Sequence, residues 1–215
     1  MKKFFCAVLW LCFALPALAA ELPPDQISIT STEKILALLK ANKDEYTKDH
    51  KKLYVMVDEN ILPNFDFRAM SRTVLGRYWR TATEEQRTQF VNNFRSLLVR
   101  TYATAMLKYN DEKIIYLPFK LIPGDRTATV KSEFRRADGA PPVAISYSFY
   151  RTDAGWKIYD VTIEGASLVT TYQTTYAERV QKEGLDALIA GLAKESKDAE
   201  AGKVATNGAK TSPPK

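Results

Sequence analysis

The chain is poor in the residues that most catalytic and metal-binding sites require. Its 215 residues include two cysteines and one histidine, and both cysteines, Cys6 and Cys12, lie in the opening segment. Without that segment the chain has no thiol for catalysis, disulfides, thiolate-bound zinc or iron–sulfur clusters. Because His50 is the one histidine, histidine-rich metal sites and a Ser-His-Asp triad are also disfavoured.

Long hydrophobic runs are also missing, apart from one at the start of the chain. Lys2 and Lys3 precede an apolar run over 4–15, and Ala17-Leu18-Ala19 offers a small-x-small cleavage motif. The run is shorter than the roughly 20 apolar residues that a membrane-spanning helix needs. We therefore predict that residues 1–20 are a secretory signal peptide and that the remaining chain is exported.

Catalytic motifs are absent from the rest of the sequence. We find no glycine-rich phosphate loop and no nucleophile elbow. The adjacent acids Asp58-Glu59 and Glu84-Glu85 do not form an acid/base pair, because sequence neighbours on a helix do not face each other. These observations predict a binding protein and not an enzyme.

Helical periodicity dominates the first half of the chain. Thr83 and Gln86 have the spacing of a capping box, and the apolar positions that follow recur every three or four residues. Asp66 and Gly76 are typical N-terminal and C-terminal caps of a shorter helix. The predicted helices cover about 31–48, with Thr30 and Glu33 as a capping box, 52–61, 67–75 and 84–109.

The period then changes from about four residues to two. Apolar positions alternate with polar ones in segments around 114–121, 127–135, 143–149 and 156–163, with turns between them. Ser167 can cap a further helix to Glu183, which Gly184 separates from a last one. This order predicts an α+β fold, a four-stranded antiparallel meander covered by helices on one face. The domain is expected over 21–193, with a disordered polar tail over 194–215.

Aromatic residues are concentrated on the predicted apolar faces. Twenty of the 24 aromatic residues lie beyond residue 20. A tightly packed core and a hollow one would show the same periodicity, so both remain open at this point.

Arginine is unusually frequent in one segment of the chain. Seven arginines lie between residues 68 and 100, against only two acids. Nucleic acid is the usual partner of such a cluster, but export separates the protein from it. An anionic lipid head group, an acidic protein surface and a plain solvated helix face remain as explanations.

Two segments resemble the signature blocks of the MlaC family. They are FDFRAMSRTVLGRYWRTATEEQRTQF (65–90) and WKIYDVTIEGASLVTTYQTTY (156–176), and the likeness extends from about residue 25 to 192. One departure is Gln173, where the family usually has arginine.

The resemblance implies a periplasmic phospholipid carrier with an apolar cavity, in an MlaC-like or NTF2-like architecture. Its partners would be an outer-membrane lipoprotein–porin complex and an inner-membrane ABC transporter complex, reached through the latter's periplasmic substrate-binding subunit. No cofactor is implied, since phospholipid is the cargo. A carrier of another hydrophobic molecule and an exported NTF2-like enzyme are the alternatives.

Residues on the predicted inward faces are the candidate cavity wall. They are Phe94, Leu98, Tyr102, Ile115, Leu117, Phe119, Val130, Tyr147, Phe149, Val161, Leu168, Val169 and Tyr172. Arg72, Arg77, Arg80 and Arg100 are candidates for a head-group rim or for docking to acidic partners.

Overall fold

Helices precede and follow an antiparallel sheet. The structure, a computed structural model, describes residues 21–109, 112–136 and 139–200, with backbone only for 199 and 200. The helices are α1 (Pro24–Lys48), α2 (His50–Asn60), α3 (Phe67–Leu75), α4 (Arg77–Thr81), α5 (Glu84–Met106), α6 (Leu168–Glu183) and α7 (Leu185–Glu200), with a 3-10 turn at Leu62–Asn64. The predicted signal peptide, 1–20, lies outside the described residues.

The sheet is a meander in chain order. Its strands are β1 (Lys113–Tyr116), β2 (Thr127–Arg135), β3 (Val143–Thr152), β4 (Gly155–Ile163) and β5 (Ala166–Ser167), and each pairs antiparallel with the next. The α+β class is confirmed. The predicted four strands become five, because the two residues of β5 pair with the end of β4 before α6 begins.

Three of the predicted helix caps are formed. Asp66 accepts a hydrogen bond from the Ala69 amide at 2.8 Å, and Ser167 accepts one from the Thr170 amide at 3.2 Å. Thr83 and Gln86 make both bonds of their capping box. These bonds pair amide groups that the first turn of a helix leaves without partners, so the short-range sequence pattern locates these helix starts correctly.

Helix α1 differs from the prediction at its start. It begins at Pro24, and the Thr30 hydroxyl donates to the Gln26 carbonyl inside the helix at 2.7 Å. The predicted capping box at Thr30 and Glu33 is therefore wrong. Proline suits the first turn of a helix because its missing amide proton would have no partner there.

Helix α7 extends beyond the predicted end of the domain. Residues 194–200 continue the helix, so the tail predicted over 194–215 is wrong for them, and 201–215 lie outside the described residues. Glu195 pairs with Arg179 at 2.8 Å, and buried Ser196 accepts a hydrogen bond from Arg100 at 2.8 Å. Polar composition suggested disorder, but these side chains find partners on other helices.

The apolar interior falls into three clusters. The helical core contains residues of all the helices from α3 through α7, and Phe90, Phe94, Tyr172 and Tyr176 lie at its centre. A second cluster joins α1, α2 and α5 around Leu39, Leu53 and Val57. The sheet cluster contains Val130, Phe149, Trp156 and Ile158.

Strand β1 presents the opposite face from the one predicted. Ile114 pairs with Phe134, and Tyr116 pairs with buried Ser132, so Ile114 and Tyr116 share the face that carries Val130. Ile115 lies opposite Glu133, on the other face. The inward orientation predicted for Ile115 and Leu117 is therefore wrong. The segment is apolar on both faces, so its own alternation could not select the inner one.

We expect Gly76→Ala to destabilise the protein by about 1–3 kcal/mol. Gly76 has φ 52° and ψ −119°, and a Cβ there would lie 3.1 Å from Gln173 Nε2. Urea unfolding measures the change. Gly124→Ala is the control, since φ is +94° there and no heavy atom lies within 4 Å of the added Cβ. A smaller loss in Gly76→Ala than in Gly124→Ala would contradict the role of the contact, and Gly76→Ala with Gln173→Ala should recover part of the loss.

Candidate functional site

The inner face of the sheet is fully buried around Val130 and Phe149 and mostly half-buried towards the start of β1 and the end of β4, where Val143 is the buried exception. Val130 and Phe149 are 0% exposed and lie in the sheet cluster. Further along the same face, side chains that are equally apolar remain only half-buried. We call these six the inner-face set: Ile114, Tyr116, Ile145, Tyr147, Val161 and Ile163.

Tyr147 is the deepest hydroxyl of the inner-face set. Its ring keeps accessible surface, yet burial raises the pKa of its hydroxyl to about 12. The nearby Ser132 hydroxyl opposes this rise in pKa by a smaller amount. Tyr147 is therefore a half-buried side chain on an apolar face, and an apolar group placed against it would bury surface without desolvating a charge.

Helix α1 is held to the sheet by hydrogen bonds. The Tyr116 hydroxyl donates to the Ser28 carbonyl at 2.9 Å. Its one proton is then used, so Thr32 must donate the 2.7 Å bond between the Thr32 and Tyr116 hydroxyls. Outside the sheet, Asn64 of the 3-10 turn donates a further bond to Ser31 of α1 at 2.8 Å. Burial raises the pKa of Tyr116, with Glu33 acting in the same direction, so the hydroxyl stays protonated at neutral pH.

The other half of α1 packs through apolar side chains. Ile35 and Leu39 belong to the cluster formed with α2 and α5, while Ile27 packs on the sheet cluster. Between them, at Ser28 and Thr32, the contact with the sheet is polar. Helix α1 therefore bridges two apolar clusters across the edge of the inner-face set.

The helical core is filled with aromatic rings. Phe94 lies 5.2 Å from Tyr172 and 6.2 Å from Tyr176, edge to face in both cases, and 5.7 Å from Phe90. Burial raises the pKa of Tyr172 and of Tyr176. Edge-to-face rings at these distances attract one another, and Phe94, Tyr172 and Tyr176 are all buried.

The structure divides the thirteen predicted wall residues among several places. Phe94, Leu98, Val169 and Tyr172 lie in the helical core, and Tyr102 packs at its margin. Val130 and Phe149 form part of the sheet cluster, with Phe119, Tyr147 and Val161 packed against it. Ile115 and Leu117 are on the outer side, and Leu168 is half-buried at the start of α6. Only Tyr147 and Val161 of the thirteen belong to the inner-face set.

Sequence reasoning missed four members of the inner-face set, namely Ile114, Tyr116, Ile145 and Ile163. Ile145 lies on the same alternating face of β3 as Tyr147 and pairs with Ile163, so the period of β3 could have identified both. Ile114 and Tyr116 required the register of β1 against β2, which is a tertiary property.

The arginines predicted as a rim do not form one group. Arg72, Arg77 and Arg80 are exposed on α3 and α4, where residues 67–83 contain no acid. Within the described residues these three have no carboxylate partner, and Arg77 lies over the Tyr78 ring. Arg100 is engaged elsewhere, with Ser196 on α7 and the ring of Tyr54 on α2.

Gln173 contacts the end of α3. Its Nε2 donates to the Thr73 carbonyl at 2.9 Å, next to Gly76. The Gly76 amide donates to the same carbonyl at 3.2 Å, so this bond is the second one that the Thr73 carbonyl accepts at the last turn of α3. The family departure at 173 thus has a structural role at the junction of α3, α4 and α6.

A surface cleft of about 600 Å³ lies apart from the inner-face set. It contains no predicted wall residue, and charged groups at its margin are already paired. Arg95 bonds Asp58 at 3.0 Å, and Lys157 donates to the Pro63 carbonyl at 2.7 Å. Among residues 21–109, 112–136 and 139–198, no group of three or more potential metal ligands is found. No helix in that part of the chain is long and apolar enough to cross a membrane.

Comparison with known proteins identifies the family. The family model described as MlaC protein matches residues 30–194. The chain belongs to the MlaC family. A toluene tolerance protein ttg2D of Pseudomonas putida is 32% identical over 191 residues, 87% of each chain. An MlaC of Haemophilus influenzae, named as the binding protein of an intermembrane phospholipid transport system, is 24% identical over 172 residues, 79% of this chain and 80% of that protein.

A protein of known structure shares the fold. It is a phospholipid-binding protein from Ralstonia solanacearum, solved in complex with a phospholipid, with 31% identity and a TM-score of 0.76. The alignment covers 83% of this chain and 99% of that one. The similarity to this protein therefore holds both in sequence and in three dimensions.

We expect Tyr116→Phe to lower the free energy of unfolding by about 1–2 kcal/mol, because it removes two hydrogen bonds between β1 and α1 and keeps the ring. Thr32→Val removes one of them and should cost less. Tyr159→Phe is the matched control, since this half-buried tyrosine contacts the Tyr150 ring. Urea unfolding of the three variants tests the expectation, and equal losses in Tyr116→Phe and Tyr159→Phe would contradict it.

Proposed function

We propose that this protein is a periplasmic phospholipid carrier whose acyl-chain site lies against the inner-face set. The observation that carries the proposal is an apolar face that remains accessible beside a filled helical core. The phospholipid complex of the Ralstonia solanacearum relative supports the choice of ligand. The proposed site differs from the predicted wall, because most of that wall belongs to close-packed clusters.

The energetics of phospholipid transfer explain why such a carrier needs an apolar recess. Each methylene transferred from lipid to water costs about 0.8 kcal/mol, so two acyl chains with about 30 methylenes oppose free diffusion by roughly 20 kcal/mol or more. A recess of similar apolarity makes each transfer nearly balanced. No covalent step is needed, and we propose that the protein is not an enzyme.

The proposal also includes two membrane complexes as partners. We propose that the carrier exchanges phospholipid with an outer-membrane lipoprotein–porin complex and an inner-membrane ABC transporter complex, through the latter's periplasmic substrate-binding subunit. The names of the relatives support transport between membranes. Arg72, Arg77 and Arg80 are suited to acidic partner surfaces or to a phosphate head group, because they are exposed and have no carboxylate partner within the described chain.

Native mass spectrometry of protein purified from the periplasm tests the proposed cargo. We expect a mass excess that corresponds to phospholipid and that organic extraction removes. Recovery of a different hydrophobic molecule would instead support the alternative carrier. A well-folded protein with no lipid at any stoichiometry would refute the carrier function.

We expect Val161→Trp to reduce phospholipid binding by about tenfold. An indole in the recess would displace about two methylenes at about 0.8 kcal/mol each. Thr129→Trp is the matched control, since Thr129 is exposed on the other face of the sheet. Extracted lipid per protein and thermal unfolding are measured together. Equal lipid content in both variants would place the acyl chains elsewhere.

A further inference from the structure

A buried hydroxyl lies in the middle of the inner face of the sheet. Ser132 is 1% exposed, and its Oγ has no hydrogen-bond partner among the described residues. Its place in β2 sets it beside Tyr116 of β1 and Ile145 of β3, on the same face as Val130. Buried polar groups in folded proteins almost always have a hydrogen-bond partner. The Ser132 hydroxyl is therefore an exception that calls for a partner from outside the chain.

The surroundings of Ser132 distinguish it from a buried hydroxyl in the helical core. The Tyr176 hydroxyl also has no hydrogen-bond partner, but this residue is 2% exposed and is surrounded by buried rings. The neighbours of Ser132 on the inner face, namely Tyr116, Ile145 and Tyr147, are only half-buried. A molecule that packs on these three side chains can therefore approach Ser132 without displacing a filled core.

Tyr147 supplies a second hydroxyl next to Ser132. Ser132 pairs with Ile145 in the sheet, so Tyr147, two residues further along β3, is its diagonal neighbour on the same face. The Ser132 hydroxyl lies close enough to act on the pKa of Tyr147, and burial keeps Tyr147 protonated. The proton of Tyr116 is already donated to Ser28, whereas Ser132 and Tyr147 have two protons between them. Even if Ser132 donates to Tyr147, one proton remains for a ligand.

The charge of this place favours a neutral ligand atom. The groups that act on the Tyr147 hydroxyl, Tyr116 and Ser132, are both uncharged at neutral pH. A phosphate or a carboxylate would lose its water here without a cation to compensate, and that is costly. A carbonyl oxygen accepts hydrogen bonds without carrying a charge. The pair of hydroxyls is therefore suited to the carbonyl of an ester.

We propose that Ser132 and Tyr147 form a subsite that donates hydrogen bonds to an ester carbonyl of the bound phospholipid. The acyl chain beyond this carbonyl lies along the half-buried side chains of the inner-face set, and the charged phosphate stays outside the subsite. The inference rests on the proposed function and adds to it. The carrier recognises the acyl ester linkage, and not hydrocarbon alone.

Such a subsite gives a selectivity that an apolar wall cannot provide. A diacyl phospholipid and its dialkyl ether analogue, with the same head group and chain length, differ only in the two ester carbonyls. The ether analogue would pack against the same apolar side chains. It would offer no carbonyl to the hydroxyls of Ser132 and Tyr147, so these donors would be covered by the ligand and left unpaired.

Competitive loading tests the subsite. The full protein is incubated with vesicles that contain equal amounts of diacyl phosphatidylglycerol and of its dialkyl ether analogue, and the two bound lipids are extracted and distinguished by mass. We expect the unmodified protein to favour the diacyl lipid about tenfold, which corresponds to about 1.4 kcal/mol. Tyr147→Phe should bring the ratio close to one, and Ser132→Ala should lower it about threefold, because each removes one donor.

Two variants on the other face of the sheet are matched controls. Tyr159→Phe removes the hydroxyl of a half-buried tyrosine that contacts the Tyr150 ring, and Ser146→Ala removes that of a serine paired with Lys131. Both should keep the ratio of the unmodified protein, and urea unfolding checks that every variant folds. Loss of the diacyl preference in the controls to the same extent would overturn the assignment of Ser132 and Tyr147.

A free fatty acid is the other source of an acyl carbonyl. Palmitic acid is therefore added as a competitor at the concentration of the two phospholipids. We expect little displacement of the diacyl lipid, since the carboxylate would be desolvated without a cation beside it. Displacement that the unmodified protein shows and Tyr147→Phe lacks would assign the subsite to fatty acids and overturn the ester contact.

The two proposals fail in different outcomes of the loading experiment. Equal binding of the ester and ether lipids by the unmodified protein refutes the subsite and leaves the carrier function standing. A diacyl preference that persists in both Tyr147→Phe and Ser132→Ala also refutes the subsite. A folded protein that takes up neither lipid refutes the carrier function.

Discussion

The contact of Phe94 with Tyr172 and Tyr176 determines which parts of the structure are dense and which are accessible. These rings join α5 to α6, and the helical core around them is complete without a contribution from the accessible end of the sheet. The sheet packs its own buried residues around Val130 and Phe149. Next to the sheet cluster, the apolar side chains of the inner-face set are only half-buried.

Helix α1 spans this region by a mixture of contacts. Apolar residues secure it to α2 and α5, whereas Tyr116 connects it to the sheet through hydrogen bonds. Hydrogen bonds contribute less net stability than the burial of large side chains, because water competes for the same groups. The hydrogen bonds of Tyr116 therefore contribute less to the attachment of α1 than the apolar contacts of Ile27, Ile35 and Leu39 do.

Charge is distributed separately from the apolar surfaces. The exposed arginines of α3 and α4 occupy one acid-free segment. A carrier that exchanges cargo between membranes needs contacts that form and break readily. Exposed charges satisfy this requirement, since they accelerate encounter more than they strengthen the final complex.

The sequence alone determined the local features of this protein. Asp66, Gly76, Thr83 and Ser167 marked helix boundaries because caps depend on residues one to three positions apart. The change of apolar period separated helices from strands, and the two signature blocks indicated the MlaC family that the comparisons confirm.

Tertiary structure decided which apolar residues are packed and which are accessible. Periodicity gives the face of a helix or strand but not its neighbour, so Phe94 and Val161 looked equivalent in sequence although one is fully buried and the other is not. The register of β1 against β2 places Ile115 on the opposite face from the predicted one. Residues 194–200 belong to α7, whose polar side chains contact other helices. In each case the deciding contact joins residues distant in the chain, and a local pattern carries no information about it.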